Sequence, residues 1–151
     1  MESQELDIRL LNIEEDRDRT HFYRWEMMRF EGTPVDVKLM SDFAHHTGSH
    51  IIHLSLTARY TTFRSQMCRH LLDYTVGADF ELRGPDATLT KNEIIVDAHV
   101  IRLMFSVALG ALRGMLALRT SNSFLANYPL PVYNVDTLME PIINDAKTID
   151  A

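Results

Sequence analysis

The sequence predicts an α+β domain, in which a four-stranded antiparallel sheet is followed by a long helix, a crossing loop and a short C-terminal helix. Three observations carry this. Apolar and polar residues alternate with a period of two through most of the first two-thirds of the chain. Beyond Thr90 the apolar spacing changes to steps of four and three, the period of a helix. Strands gathered before helices, rather than interleaved with them, favour an antiparallel sheet with helices segregated from it.

Taken in order, Leu6, Ile8 and Leu10 alternate with Asp7 and Arg9 in a first strand, which ends at the charged run from Glu14 to Arg19, read as a solvated bend. His21 to Phe30, dense in aromatics and methionine, reads as a continuing strand, so Met27 and Met28 would point to opposite faces. In the next strand Val35, Val37, Leu39 and Phe43 oppose Asp36, Lys38 and Asp42. Ile52, Leu54, Leu56, Ala58 and Tyr60 then share one face of a half-buried strand. Met67 to Leu82 pairs with it, with Cys68, Leu72, Tyr74 and Val76 inward and Met67, Leu71, Arg69 and Asp73 outward. Gly84 and Pro85 close the sheet.

The helix that follows carries two apolar stripes. Ile94, Ala98, Ile101, Phe105, Ala108, Leu112 and Met115 form one; Val100, Leu103, Val107, Gly110, Gly114 and Ala117 form the other. Each helical glycine costs roughly 1 kcal/mol of propensity relative to alanine. Gly110 and Gly114 are therefore expected to serve the close approach of a second backbone, and Val107, Gly110, Gly114 and Ala117 to form a homo-oligomer interface. Pro129 and Pro131 bar a continuous helix through the next segment, and Asp136 is the N-cap candidate for the last helix.

The totals bound the function. A length of 151 residues suits a single domain over 1–151, with about 145–151 expected to be a disordered tail. The apolar share of 46% is that of a globular chain, and a net charge of -6 disfavours a nucleic-acid partner. The first ten residues lack the basic and apolar regions of a secretory signal. Asp97, His99, Arg102 and Arg113 interrupt the apolar stretch from Ile94 to Leu118, which argues against membrane insertion. Cys68 is the sole cysteine, so a reducing cytoplasm is the expected setting.

Few constellations suggest chemistry. His45, His46, His50 and His53 crowd a turn and could hold a metal, although His45 and His46 are adjacent and would point apart on a strand. Cys68 and His70 share a strand face, but no oxyanion turn or orienting residue accompanies them. The one G-x-x-x-G lies within the helix, and neither a nucleotide-binding glycine loop nor H-E-x-x-H occurs. The chain is therefore read as a non-enzyme with no cofactor. Glu14, Glu15 and Asp16 form one acidic group; Asp73, Asp79 and Glu81 form another, made interesting by the expected exposure of Leu71 beside Asp73. Eight methionines add flexible apolar surface of the kind that repacks against varied partners.

Several stretches resemble the SecB family of export chaperones. Phe105 to Met139, FSVALGALRGMLALRTSNSFLANYPLPVYNVDTLM, is similar to the family's long helix and following loop, with Leu130-Pro131-Val132-Tyr133-Asn134 in place of its Leu-x-Pro-Val-Asn element. Val37-Lys38-Leu39 resembles the opening of the family's second strand, and Leu71-Leu72-Asp73-Tyr74 with Phe80-Glu81-Leu82 resembles its fourth. The resemblance implies a tetramer, a dimer of dimers with helices sandwiched between sheets. It implies ATP-independent capture of unfolded precursor polypeptides and their delivery to the SecA translocation ATPase. Carried over by position, SecA would contact Leu71 and Asp73, with Glu14 and Glu15 contributing, and clients would bind Trp25, Met27, Met40, Phe124, Tyr128 and Leu130. The family's export members often carry a longer polar tail, whereas this sequence stops at Ala151. Relatives serve as dedicated chaperones of an antitoxin, so an adaptor for one partner is the alternative. A small metal- or ligand-binding domain built on the histidine turn is a further one.

Overall fold

In the computed structural model, which describes residues 7–45, 50–64, 67–83, 87–89, 94–96, 98–131 and Val135, the order of elements follows the expected plan with two additions. The chain runs β1 (Asp7–Glu15), a 3-10 turn (Arg17–Arg19), β2 (His21–Phe22), α1 (Arg24–Arg29), β3 (Val35–His45), β4 (Ile51–Arg64) and β5 (Met67–Arg83). It continues with β6 (Ala87–Leu89), β7 (Ile94–Val96), α2 (Ala98–Thr120) and a second 3-10 turn (Phe124–Asn127). The main sheet is antiparallel in the order β1-β5-β4-β3, and β2 also pairs with β5.

The sheet therefore has five strands rather than four, for a local reason. β1 leaves β5 after Glu15 and β2 rejoins it at Asp73, so the two are one edge strand interrupted by the charged turn. Asp16 caps that turn by accepting from the amides of Asp18 and Arg19 at 3.2 and 3.3 Å. Thr20 Oγ1 accepts from the Thr75 amide at 3.1 Å, and Thr75 Oγ1 donates to the Arg19 carbonyl at 3.1 Å. The interruption is thus sewn to β5 by threonines.

The strand expected over His21 to Phe30 is corrected: all but its first two residues turn into α1 and its end. Arg, Glu and Met are good helix formers. The helix is stopped where the Thr33 amide reaches the Phe30 carbonyl at 3.1 Å and Gly32 takes φ +84°. Ile94 is also corrected, since Ile94–Val96 pairs with Ala87–Leu89 in a separate hairpin and α2 begins only at Ala98. The expected final helix from Asp136, His46 and the tail at 145–151 lie outside the described residues.

Two bulges decide which side chains face the core. In β5, Tyr60 pairs with Leu72 and Thr61 with His70, leaving Leu71 as the extra residue. Leu72, Tyr74, Val76, Ala78, Phe80 and Leu82 point inward as the alternation requires. Beyond the bulge the parity flips, so Cys68, expected inside, is exposed. Leu71, expected outside, is fully buried. In β1 the register slips between Leu10 and Asn12, which puts Ile13 and Glu15 on the core side and Glu14 on the other.

The inner face of β4 and β5 is covered by α2 through Val100, Ile101, Met104, Phe105, Ala108, Leu109, Leu112 and Leu116, all buried. Val100 thus belongs to the core stripe rather than the second one. Leu103, Val107, Gly110, Gly114 and Ala117 are exposed, so within one chain the helix is buried on a single side. His99–Thr120 is long and apolar enough to cross a membrane by length and composition, and its core stripe lies against the sheet. Arg113 donates to the carbonyls of Leu130 at 3.1 Å and Pro131 at 2.7 Å, and Tyr60 donates to that of Tyr128 at 2.8 Å. These bonds hold the proline-bearing loop across the end of the helix.

Candidate functional site

Helix α1 presents apolar side chains that the core does not use. Trp25 and Met28, three residues apart and so on one helical face, are 72% and 76% exposed. Met27 is half-buried against the core. One methionine of the pair therefore does lie outside the core, but by helical rather than strand geometry. Between α1 and the segment after α2 lies a cleft of about 300 Å³ lined by Arg24, Met27, Met28, Glu31, Asn122, Ser123 and Phe124. Phe124 is set there by the turn that Ser123 caps, its Oγ accepting from the Leu125 amide at 3.2 Å, and by Leu125, which is fully buried.

A second cleft, of about 560 Å³, opens where α2 ends beside β2 and the charged turn. Phe22, Tyr74, Met115 and Leu118 make its apolar walls; Glu15, Arg17, Thr20 and Arg119 line the rest. Arg119 Nε donates to Glu15 Oε1 at 2.9 Å while its guanidinium lies 4.8 Å from the centre of the Phe22 ring. Burial, and then the charge and hydrogen bond of Glu15, push the Tyr74 phenol up to about 12. A smaller pocket of about 170 Å³, under the crossing loop, is lined by Tyr60, Leu116, Leu125, Pro129 and Leu130 among others.

The structure brings together only part of the expected client groove. Met27 and Phe124 share the first cleft, with Trp25 on the same short helix. Leu130 is buried in the pocket beneath the loop, and Tyr128 is half-buried nearby with its hydroxyl donating to the Thr33 carbonyl at 3.4 Å. Met40 lies opposite Thr57, on the sheet face away from α2, because it has the other parity from Leu39.

The exposure expected of Leu71 beside Asp73 is corrected. Leu71 is fully buried at the bulge, and Asp73 is 7% exposed, accepting from Arg59 Nε at 2.8 Å. That hydrogen bond holds Arg59 above its ordinary pKa. Glu14 and Glu15 alternate in direction along β1 and Glu15 is tied to Arg119, yet both border a cleft of about 610 Å³ that also includes Asp16, Arg17, Asp18, His53 and Asp79. Of the expected interface, Val107, Gly110, Gly114 and Ala117 are all exposed on α2. A Cβ added at Gly110 or Gly114 would meet nothing within 4 Å among the described residues, so none of these requires glycine there.

The described histidines of the turn join no cluster of three ligating side chains. His53 has its Nδ1 2.7 Å from Asp79 Oδ1 and its Nε2 3.0 Å from Ser55 Oγ, while His50 is exposed. Gly77 leaves room for this ring, since a Cβ there would stand 2.8 Å from His53 Cε1. The order Asp79, His53, Ser55 has the connectivity of a hydrolase relay, but Ser55 is 2% exposed in the sheet, where a substrate carbonyl does not reach it. It serves as a polar ladder on the face that also carries the Thr57–Thr75 hydroxyl pair at 2.7 Å. Among the described residues no three ligating side chains cluster as a metal site would require.

Sequence reading missed Phe22, Arg24, Met28 and Leu118 as cleft residues. For the two on α1 a signal existed: Gly32 and Pro34 follow Phe30 as a helix stop, which makes the preceding run a helix.

No protein-family model matches the chain, and no curated protein does. Among solved structures it is similar to a Mycobacterium tuberculosis SecB-like chaperone in complex with a ChAD peptide from the HigA1 antitoxin. The TM-score is 0.44 and the identity 14%, over 86% of this chain and 88% of that one. It is also similar to a Streptococcus agalactiae protein of unknown function, with TM-score 0.33 and 9% identity, over 87% of this chain and 98% of that one. Likenesses at this level do not assign an activity, which lives in the site rather than the fold.

Proposed function

We propose that this chain is an oligomeric, ATP-independent chaperone that holds unfolded polypeptides by their apolar side chains. One observation carries the reading: α1 leaves Trp25 and Met28 in water beside a cleft floored by Met27 and Phe124. Exposed tryptophan and adjacent methionines on a helix that is otherwise anchored are poor for solubility and good for capture. Each large apolar side chain fully buried is worth about 1.5–3 kcal/mol. Two or three such anchors give roughly 3–9 kcal/mol gross, and less the ordering cost of the client this corresponds to weak binding, on the order of millimolar for one site alone. Methionine suits varied clients because its thioether adapts to their shapes.

In the same reading a second copy covers the exposed stripe of α2, and a dimer of dimers follows by the family resemblance. Handover to an export ATPase would use the acidic face around Glu14, Asp16, Asp18 and Asp79, because Leu71 and Asp73 are not available within the chain. The test is light scattering with a chemically unfolded client: stoichiometric protein should suppress aggregation, and the double substitution Trp25→Ser, Met28→Ser should abolish this while leaving the thermal midpoint unchanged. Full suppression by the double variant would overturn the assignment of the surface. A single stoichiometric partner in lysate pull-downs, with no general suppression, would replace the general holdase by a dedicated adaptor.

A further inference from the structure

We propose that α1 is a gate on the cleft it shares with Phe124: it unwinds locally between two fixed points, and a client side chain enters in the unwound state where Met27 sits in the closed one. This deepens, and rests on, the polypeptide-binding reading above. One fixed point is Phe22, which pairs with Leu72, followed by the Tyr23 amide, which donates to the Leu71 carbonyl at 3.2 Å. The other is Phe30, 3% exposed, whose carbonyl accepts from Thr33 Oγ1 at 2.6 Å while that oxygen lies 2.8 Å from Thr62 Oγ1. Gly32, at φ +84°, turns the chain there without strain.

Between these points α1 is weakly held. It has six residues, none of them fully buried, and Tyr23 gives its first turn no side-chain cap. Helices shorter than about 12 residues are marginal in water by themselves, so packing has to hold this one. Little packing is available: Trp25 and Met28 are exposed, and Met27 is the one apolar side chain of α1 set against the core. Closure also carries a cost, because one carboxylate oxygen of Glu26 is out of contact with solvent and, among the described residues, has no hydrogen-bond partner. A buried polar group left unpaired opposes the state that buries it. Unwinding returns that carboxylate to water and draws Met27 off the core, leaving its place beside Phe124 to a client's apolar side chain. Segments with few buried contacts open at far lower free energy than core strands do.

A site presented only by a minor state binds with an affinity reduced by the population of that state, so a shift in the gate shifts affinity by the same factor. Glu26→Leu removes the unpaired carboxylate, which outweighs the smaller loss of a negative charge near the helix N-terminus, and should favour closure about fivefold. Arg29→Gly, at an exposed position, lowers helix propensity and should favour opening about fivefold. The gate is read by hydrogen exchange at the Met27 and Phe30 amides, which donate to the Tyr23 and Glu26 carbonyls at 2.8 and 2.9 Å, with the amides of β5 as the reference for an intact fold. Affinity is read by fluorescence anisotropy of a labelled nine-residue peptide with phenylalanine and leucine anchors. Glu26→Leu should slow exchange and weaken peptide binding by that factor, and Arg29→Gly should do the reverse, with β5 unchanged in both. Exchange in α1 as slow as in β5, or unmoved by both variants, would overturn the gate and leave the holdase reading standing. Shifted exchange at constant affinity would do the same, since the opening would then serve no binding. Shifted exchange with no peptide bound by any variant would overturn the polypeptide-binding reading and the gate with it.

Discussion

The two faces of α2 are nearly alike in composition and opposite in fate. On one, Met104, Phe105, Ala108 and Leu112 lie against β4 and β5 with almost no exposed area; on the other, Leu103, Val107 and Ala117 stand in water with two glycines between them. Hydrophobicity alone does not decide which stripe a helix buries when both are apolar. The sheet provides one inner face, and the side chains that interlock with it take that face. The other stripe is exposed, and no contact among the described residues explains the glycines on it.

Substitution separates the faces. Phe105→Ala on the buried face should lower unfolding free energy by about 3–5 kcal/mol, because it combines lost burial with a cavity; chemical denaturation measures it, and a loss below about 1 kcal/mol would contradict the packing. Leu103→Asp with Val107→Asp should leave the fold intact and shift sedimentation to the monomer. Unchanged assembly in that variant would remove the exposed stripe as an interface. Gly110→Ala and Gly114→Ala sharpen the comparison further. Each should stabilise the isolated chain by about 1 kcal/mol through helix propensity, while weakening association by holding the second backbone away. Greater stability with undiminished assembly would mean that the glycines serve no contact.

The smallest effect is expected where the two faces end, at Arg119, Glu15 and Tyr74. The Tyr74 phenol titrates near 12 in the folded chain and near 10 when unfolded. Between these values the unfolded state has lost its proton and the folded state has kept it. The stabilisation is therefore whole below about pH 10 and is lost as pH rises toward 12. Allowing for solvent in the adjoining cleft, the loss is about 1 kcal/mol. Tyr74→Phe should flatten this limb in urea titrations at pH 9 and 12, and an unchanged slope would remove Tyr74 as its source.

Much of the sheet was legible because alternation is a one-residue rule. Ile52 to Tyr60 and Leu72 to Leu82 face the core as their spacing requires. Legibility ended at the bulges. One extra residue at Leu71 reversed the faces of Cys68 and Leu71, and a slip at Leu11 set which of Glu14 and Glu15 faces the core. No local propensity marks either position, since a bulge is set by how two strands meet. On α1 the resemblance grouped Trp25, Met27 and Phe124, of which Met27 and Phe124 line one cleft, while Met28 and Arg24 stay hidden when the helix is read as a strand.

From its residues alone, the chain determined the order of β3, β4, β5 and α2, the inward face of β4, and the doubled apolar character of α2. Those follow from periodicity, which is a property of consecutive residues. Only the tertiary structure decided which stripe of α2 met the sheet, that Asp73 would be engaged by Arg59, and that Phe22 would lie beside Arg119. Each of these depends on residues distant in sequence arriving at the same place, and their energies exist only once the intervening chain has folded.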